Sequence, residues 1–225
     1  MVDYVLDRLR DVSEIDEVHL VTNTKFAAAF HGWAPPDVTV HDDGTTSDDD
    51  RLGAIGDVRF VLERTGMRDD LLVIAGDNLF EHDLDAYVRW WRARGEASAV
   101  ALHDVGDREL ARQYGIVELD EHDRVVGFLE KPADPPSTLA ATAAYLFHRD
   151  HVALVQRYLA EGNSPDQPGR FVEWLHRRAP VYGYRFEGEW FDIGDRGQLL
   201  EADNRMRARR GLPPRDEYAL EPTRS

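Results

Sequence analysis

Three short segments contain residue types that could bind a phosphate and a metal ion. They are Gly76-Asp77-Asn78, Glu130-Lys131-Pro132 and the run 189–195. Asp77 and Asp192 could supply hard oxygen ligands for Mg²⁺, which is commonly held by one or two carboxylates plus substrate phosphates. Lys131 is a compact cation suited to a phosphate that must be bound and then released. Either aspartate alone would equally suit an ordinary turn or helix cap, and Lys131 a plain surface. The prediction of a site therefore depends on a fold that brings the segments together.

Other residues near these segments could contact a sugar. Glu130 could accept hydrogen bonds from sugar hydroxyls, or it could simply balance the charge of Lys131. Tyr114-Gly115 could bring an aromatic edge and the backbone close to a sugar ring, although such a pair also suits packing and turn geometry. The nine histidines show no His-x-His or His-Glu-x-x-His spacing, so a histidine metal site or general base has little support.

Composition narrows the classes of partner. The 225 residues carry 27 basic and 43 acidic side chains, a net charge of −16, which repels nucleic acid and anionic membranes. A small phosphorylated substrate remains compatible, because clustered cations and a metal can reverse the field inside one cleft. The absence of cysteine excludes disulfides and thiolate metal sites. No apolar run approaches the roughly 20 residues of a membrane helix, so we expect a cytoplasmic protein without membrane or nucleic-acid partners. A homo-oligomer is left open.

The first half of the chain alternates helix and strand patterns. We predict helices over 2–9, 24–30, 51–63 and 84–94 and strands over 18–23, 38–40, 71–75 and 97–102. An aspartate or serine of the polar loop 41–50 is available to cap the third helix. The run 71–75 is continuously apolar, as in a parallel strand covered on both faces, and it places Asp77 at a strand's carboxyl end. The alternation predicts a doubly wound α/β fold, in which ligands bind just beyond those ends.

The second half has shorter strands. Strands over 114–119 and 125–129 are expected to form an inserted hairpin. Further strands are expected over 143–147, 181–186 and 190–192, and helices over 152–159, 170–177 and 197–209. We therefore predict one domain over residues 1–209, followed by a polar tail, 210–225, on the surface or disordered.

The order of these segments resembles that of the sugar-1-phosphate nucleotidyltransferase family, which includes the glucose-1-phosphate thymidylyltransferases. The matching pieces are residues 1–6, 21–23, 50–55, 76–78, 114–118, 130–132, 142–145 and 190–194. The resemblance implies a Rossmann-like mixed, mostly parallel sheet flanked by helices. It also implies that no counterpart of the family's first central strand and glycine-rich nucleotide loop lies in this sequence. We expect apolar helix faces and backbone groups to be left uncovered as a result, with low stability and weak activity.

The resemblance also assigns roles to individual residues. Asp77, Lys131 and Asp192 would be catalytic, with Asp77 and Asp192 holding Mg²⁺ and Lys131 contacting the sugar phosphate. The nucleotide base would meet the start of a helix, with Thr46 as a looser candidate. At position 143 this chain has Ala143 where family members often have glycine. The substrate-binding residues implied in this way are Leu52, Gly53, Tyr114, Gly115, Glu130, Tyr145 and Trp190.

The implied reaction transfers a nucleoside monophosphate from a nucleoside triphosphate, dTTP or UTP, to a sugar 1-phosphate and releases pyrophosphate. Two alternatives remain at this stage. One is a cytidylyltransferase acting on phosphocholine or a similar phosphate. The other is a noncatalytic regulatory or binding homologue that keeps the fold.

Overall fold

The computed structural model describes residues 1–218 and has the predicted α/β architecture, a mixed central sheet flanked by helices. The strands are β1 (Val18–Thr22), β2 (Val38–Asp42), β3 (Leu71–Ile74), β4 (Asn78–Phe80), β5 (Ser98–Asp104), β6 (Gly115–Leu119), β7 (Val125–Glu130), β8 (Leu139–Phe147), β9 (Val181–Arg185) and β10 (Trp190–Asp192). The helices are α1 (Val2–Arg10), α2 (Thr24–Trp33), α3 (Ala54–Thr65), α4 (Leu84–Arg92), α5 (Arg108–Ala111), α6 (Arg149–Val152), α7 (Val155–Ala160), α8 (Pro168–Leu175) and α9 (Arg196–Arg209).

The large sheet has the order β7-β6-β8-β5-β9, and β3 pairs with the second half of β8. The predicted hairpin is confirmed as β6–β7, and β6 joins it to the main sheet through β8. Parallel pairing is less frequent than the sequence pattern indicated, since only β5–β9 is parallel within this sheet. The reason is that β8 lies between β3 and β5 and runs antiparallel to both.

Strand β8 contains a bulge at Ala143. The register with β5 shifts between Val100 and Leu102, and Ala143 adopts a φ of 54°, in the left-handed region that favours glycine. The amide of Ala75 donates to the carbonyl of Ala143 at 3.1 Å. The bulge thus fixes the end of β3 directly before Asp77.

Two apolar clusters lie on opposite faces of the large sheet. Alternate residues of β8 face each cluster, for example Tyr145 and Phe147 on one side and Ala144 and Leu146 on the other. Helices α3, α7 and α8 cover the first face, and α4 covers the second. Strand β3, covered on both faces as predicted, contributes to both clusters.

Several element boundaries differ from the predictions. Helix α3 begins at Ala54 and has no side-chain cap, because its N-cap residue is Gly53. The carboxylate of Asp50, predicted as a possible cap, accepts hydrogen bonds from Thr46 and Ser47 within its own loop. The predicted helix 152–159 is two short helices, α6 and α7, and the three-residue strand β4 was not predicted. The polar tail predicted from residue 210 is exposed over 210–217, and Asn204 of α9 exchanges hydrogen bonds with the backbone of residue 215. Its last part, 219–225, lies outside the described residues.

Strands β1 and β3 border one large apolar cavity. Within residues 1–218, β1 pairs only with β2, and β3 pairs only with β8. The cavity between these two strands has a volume of about 1100 Å³ and is also lined by apolar residues of α1 and α3. Apolar residues of α1 and α3 thus line this cavity, but Val5, Leu6 and Val61 among them are buried. That an apolar helix face is left uncovered stays a prediction. None of the helices between residues 1 and 218 has the length and apolarity needed to cross a membrane.

Candidate active site

The short β4–β10 ladder brings two distant aspartates together. Asp77 immediately precedes β4, and Asp192 ends β10, directly opposite Asn78 in the antiparallel register. The amide of Ile193 donates to the carbonyl of Asp77 at 3.1 Å and ties the two chain segments together. Both aspartates lie on the exposed side of the ladder. Backbone pairing of these two segments thus brings Asp77 and Asp192 close together.

Asn78 lies beneath the two carboxylates and contacts both. Its Nδ2 donates to Asp77 Oδ1 at 2.9 Å and to Asp192 Oδ1 at 3.2 Å. Its Oδ1 accepts from the indole Nε1 of Trp190 at 2.6 Å, and the residue is only 2% exposed. Asn78 was missing from the residues singled out in the sequence. The available signal was a polar residue following Gly-Asp at a strand end.

Several candidate residues act on the charge of Asp192. Partial burial raises the pKa of Asp192, and the neighbouring charge of Asp77 raises it further. The hydrogen bond from Asn78 and the positive charge of Lys131 act in the opposite direction. Lys131 is therefore near enough to Asp192 for its positive charge to favour the ionised carboxylate.

The carboxylate pair suits a hard divalent cation. Within residues 1–218 no group of three or more His, Cys, Asp or Glu side chains is arranged to hold a metal ion. Asp77 and Asp192 each accept a hydrogen bond from Asn78 through one oxygen, and both residues are exposed. Mg²⁺ keeps several waters and often binds through two carboxylates plus substrate phosphates, so this donor set fits it without further protein ligands.

Lys131 follows the last residue of β7 in a constrained backbone conformation. Its φ is 48°, which is uncommon for a residue with a side chain and costs of order 1 kcal/mol. Its amide donates to the carbonyl of Tyr114 at 3.0 Å, which extends the β6–β7 ladder by one bond. This conformation ends the strand and turns the chain toward Pro132.

Glu130 is held between two glycines. A Cβ at Gly115 would lie 3.0 Å from Glu130 Oε2, and a Cβ at Gly169 only 2.4 Å from the same atom. Burial raises the pKa of Glu130, while the positive charges of Lys131 and Arg170 oppose that shift. Gly169, at the start of α8, was missed by the sequence analysis, because only the tertiary fold places α8 against β7.

Tyr114 and Trp190 form an aromatic wall beside Asp192. Their rings meet edge to face, with centroids 4.8 Å apart and an interplanar angle of 62°. Burial and then the charge of Asp192 raise the pKa of Tyr114. Tyr145 does not join this wall, because it is 4% exposed and packs in an apolar core cluster; burial, followed by the charges of Glu130 and Asp192, raises its pKa. An aromatic pair beside hydrogen-bonding groups suits a ring that carries hydroxyls.

Leu52 and Gly53 lie apart from this group, at the start of α3. The amides of Ala54 and Ile55 donate to the carbonyls of Asp166 and Pro165, so these two donors are not available to a ligand. Gly53 has a φ of 78°, and a Cβ there would lie 2.6 Å from the Cα of Asp166. A nucleotide base at this helix start therefore cannot accept hydrogen bonds from the amides of Ala54 and Ile55. The glycine at position 53 is explained by its close packing against the loop. Any contact of Leu52 or Gly53 with a base stays a prediction.

The fold and site define a class of protein. A Rossmann-like α/β domain with paired carboxylates, a lysine and an aromatic wall at its strand ends has the layout of an enzyme that handles phosphate esters. The sequence profile described as "Nucleotidyl transferase" matches residues 1–209. The chain therefore belongs to the nucleotidyl transferase family.

A solved structure supports the fold assignment. The chain resembles a putative glucose-1-phosphate thymidylyltransferase from Bacillus anthracis, solved in complex with a sucrose, with a TM-score of 0.74 and 19% sequence identity. The similarity covers 98% of this chain and 84% of that one. At this identity, the comparison supports the fold.

Proposed function

We propose that this protein transfers a nucleoside monophosphate from dTTP or UTP to a sugar 1-phosphate. A phosphate oxygen of the sugar 1-phosphate would attack the α-phosphorus of the nucleotide. The bond from the α-phosphorus to the bridging oxygen would break, and pyrophosphate would leave. The observation that carries this proposal is the convergence of Asp77, Asp192 and Lys131 beside an aromatic wall, in a chain of the nucleotidyl transferase family.

The proposed roles follow from charge and position. Asp77 and Asp192 would hold Mg²⁺, which when bound would withdraw electron density from the phosphate oxygens it contacts. Lys131 would bind the sugar phosphate, since its charge already acts on Asp192. Holding two polyanions in line while neutralising their charge accounts for such a reaction without a covalent intermediate.

The sugar would lie between Glu130 and the aromatic wall. The carboxylate of Glu130 occupies the space that a Cβ at Gly115 or Gly169 would fill, so the two glycines leave room for it to accept hydroxyl hydrogen bonds. Tyr114, Tyr145 and Trp190 would contact the ring. Leu52 and Gly53, at the start of α3, would be the nearest candidates for the nucleotide base.

Substitution of the three charged residues tests the proposal. We expect Asp192→Asn and Asp77→Asn to lower kcat by about 10²-fold or more, because each removes a charge that would act on the phosphates. Lys131→Met should raise KM for the sugar phosphate and lower kcat. The chain has only one other lysine, Lys25, so Lys25→Met is a matched control that should retain full activity.

A substrate panel separates this proposal from its alternatives. The protein is assayed for pyrophosphate release with each nucleoside triphosphate against several sugar 1-phosphates and phosphocholine. Turnover of a sugar 1-phosphate supports the proposal. Turnover of phosphocholine alone would identify a cytidylyltransferase, and no turnover with any pair would favour a noncatalytic binding protein.

A further inference from the structure

The hydrogen bonds around Asn78 have a defined direction. An indole N–H can only donate, so the atom 2.6 Å from Trp190 Nε1 must be the amide oxygen of Asn78. The amide nitrogen is then the atom that faces Asp77 and Asp192. The opposite orientation would place two donors against each other and an oxygen against two carboxylates. The indole of Trp190 thus selects one of the two orientations of the amide.

The amide also connects two carboxylates that repel each other. Each of its two hydrogens has one carboxylate oxygen as its acceptor, at 2.9 Å for Asp77 and 3.2 Å for Asp192. Asn78 is buried within β4, so its side chain has little freedom to follow if either carboxylate turns away. The amide therefore holds the two carboxylates at a fixed spacing.

We propose that Asn78 is the positioning residue of the carboxylate pair, and that Trp190 acts on the pair through Asn78. The inference rests on the proposed function, in which the pair holds a divalent cation. Trp190 also packs against Tyr114 in the aromatic wall. One side chain therefore contacts both a residue proposed to bind the sugar and the asparagine that joins the two carboxylates. Groups that orient metal ligands typically change metal affinity by 10- to 100-fold when removed.

A double-mutant cycle on metal affinity tests this chain of action. Mn²⁺ binding is measured by calorimetry on the protein without nucleotide or sugar, for the wild type, Trp190→Phe, Asn78→Ala and the double variant. We expect affinity to fall about 10-fold in Trp190→Phe and 10- to 100-fold in Asn78→Ala. Because Trp190 acts through Asn78, the double variant should bind no more weakly than Asn78→Ala alone. Multiplicative losses would overturn the inference.

Two further measurements separate positioning from general damage. Trp33 donates its indole N–H to Asp3 on the surface, so Trp33→Phe removes a comparable hydrogen bond and should leave Mn²⁺ affinity unchanged. Asn78→Leu keeps the branched shape of the side chain and replaces Asn78→Ala if the alanine variant does not fold. In a ¹⁵N spectrum of Asn78→Leu, the Trp190 indole resonance should shift upfield because its hydrogen bond is lost. An unshifted resonance would refute the hydrogen bond.

The outcome distinguishes failure of the inference from failure of the proposed function. If the wild-type protein binds no Mn²⁺, the metal role of Asp77 and Asp192 is refuted, and the inference falls with it. If the wild type binds Mn²⁺ and the two substitutions act independently, the metal site stands and only the role of Trp190 through Asn78 is refuted.

Discussion

His82 should make the protein less stable in mild acid. Its ring is 4% exposed and lies between the rings of Phe80 and Phe186, with centroid distances of 4.5 and 4.2 Å. Neither ring nitrogen has a hydrogen-bond partner among residues 1–218. Burial and, to a smaller extent, the charge of Arg8 lower the pKa of His82 to about 4, while Asp83 opposes the shift. The folded protein therefore keeps this ring neutral well below the ordinary pKa.

The size of the effect follows from proton linkage. Unfolded His82 has a pKa near 6.5, so between about pH 6.5 and 4 the unfolded chain binds more protons than the folded one. The stability that comes from the neutral ring is fully present above pH 6.5 and is lost as the pH falls toward 4. At pH 4.5 the expected loss is about 2–3 kcal/mol relative to neutral pH.

Urea unfolding at pH 7 and pH 4.5 measures this loss. Other groups titrate in the same range, so the comparison is the pH dependence of the wild type minus that of His82→Phe. The variant keeps an aromatic ring between Phe80 and Phe186 but cannot be protonated. Between pH 7 and pH 4.5, we expect the free energy of unfolding of the variant to fall by about 2–3 kcal/mol less than that of the wild type. Equal pH dependence in the two proteins would refute the reasoning.

Three further predictions concern other residues. Burial raises the pKa of Asp57 to about 6, so the charged carboxylate destabilises the folded protein at pH 7. Asp57→Asn should therefore raise the free energy of unfolding by about 1–2 kcal/mol at pH 7, after allowance for partial exposure, and by little at pH 4. Urea titration at the two pH values measures the difference. Ala143→Gly should be neutral or stabilising by up to ~1 kcal/mol, because it relieves the φ of 54°; a clear loss in the same measurement would contradict this. Gly169→Ala should displace Glu130 and raise KM for the sugar phosphate, whereas Gly32→Ala, where an added Cβ meets nothing within 4 Å, is its kinetic control.

The sequence determined most of the elements and the chemically important residues. The apolar run before Gly76-Asp77 fixed β3 and the position of Asp77 at its end, since an uninterrupted apolar strand must be covered on both faces. Asp192 and Lys131 could likewise be placed at strand ends by local pattern. These predictions succeeded because hydrophobic periodicity acts over a few residues.

Only the tertiary structure decided how those residues are arranged. Asn78 and Asp192 are 114 positions apart, and no local pattern indicates that an amide joins them. Gly169 and the start of α3 are similar cases. Glu130 occupies the space beside Gly169, and the loop at residues 165 and 166 occupies the space beside the start of α3. Even the large sheet is more antiparallel than its pattern indicated, because β8 lies between two strands that precede it in the chain. Local sequence sets which face of an element is apolar, but the partner of each buried polar group depends on contacts that form only when distant segments pack together.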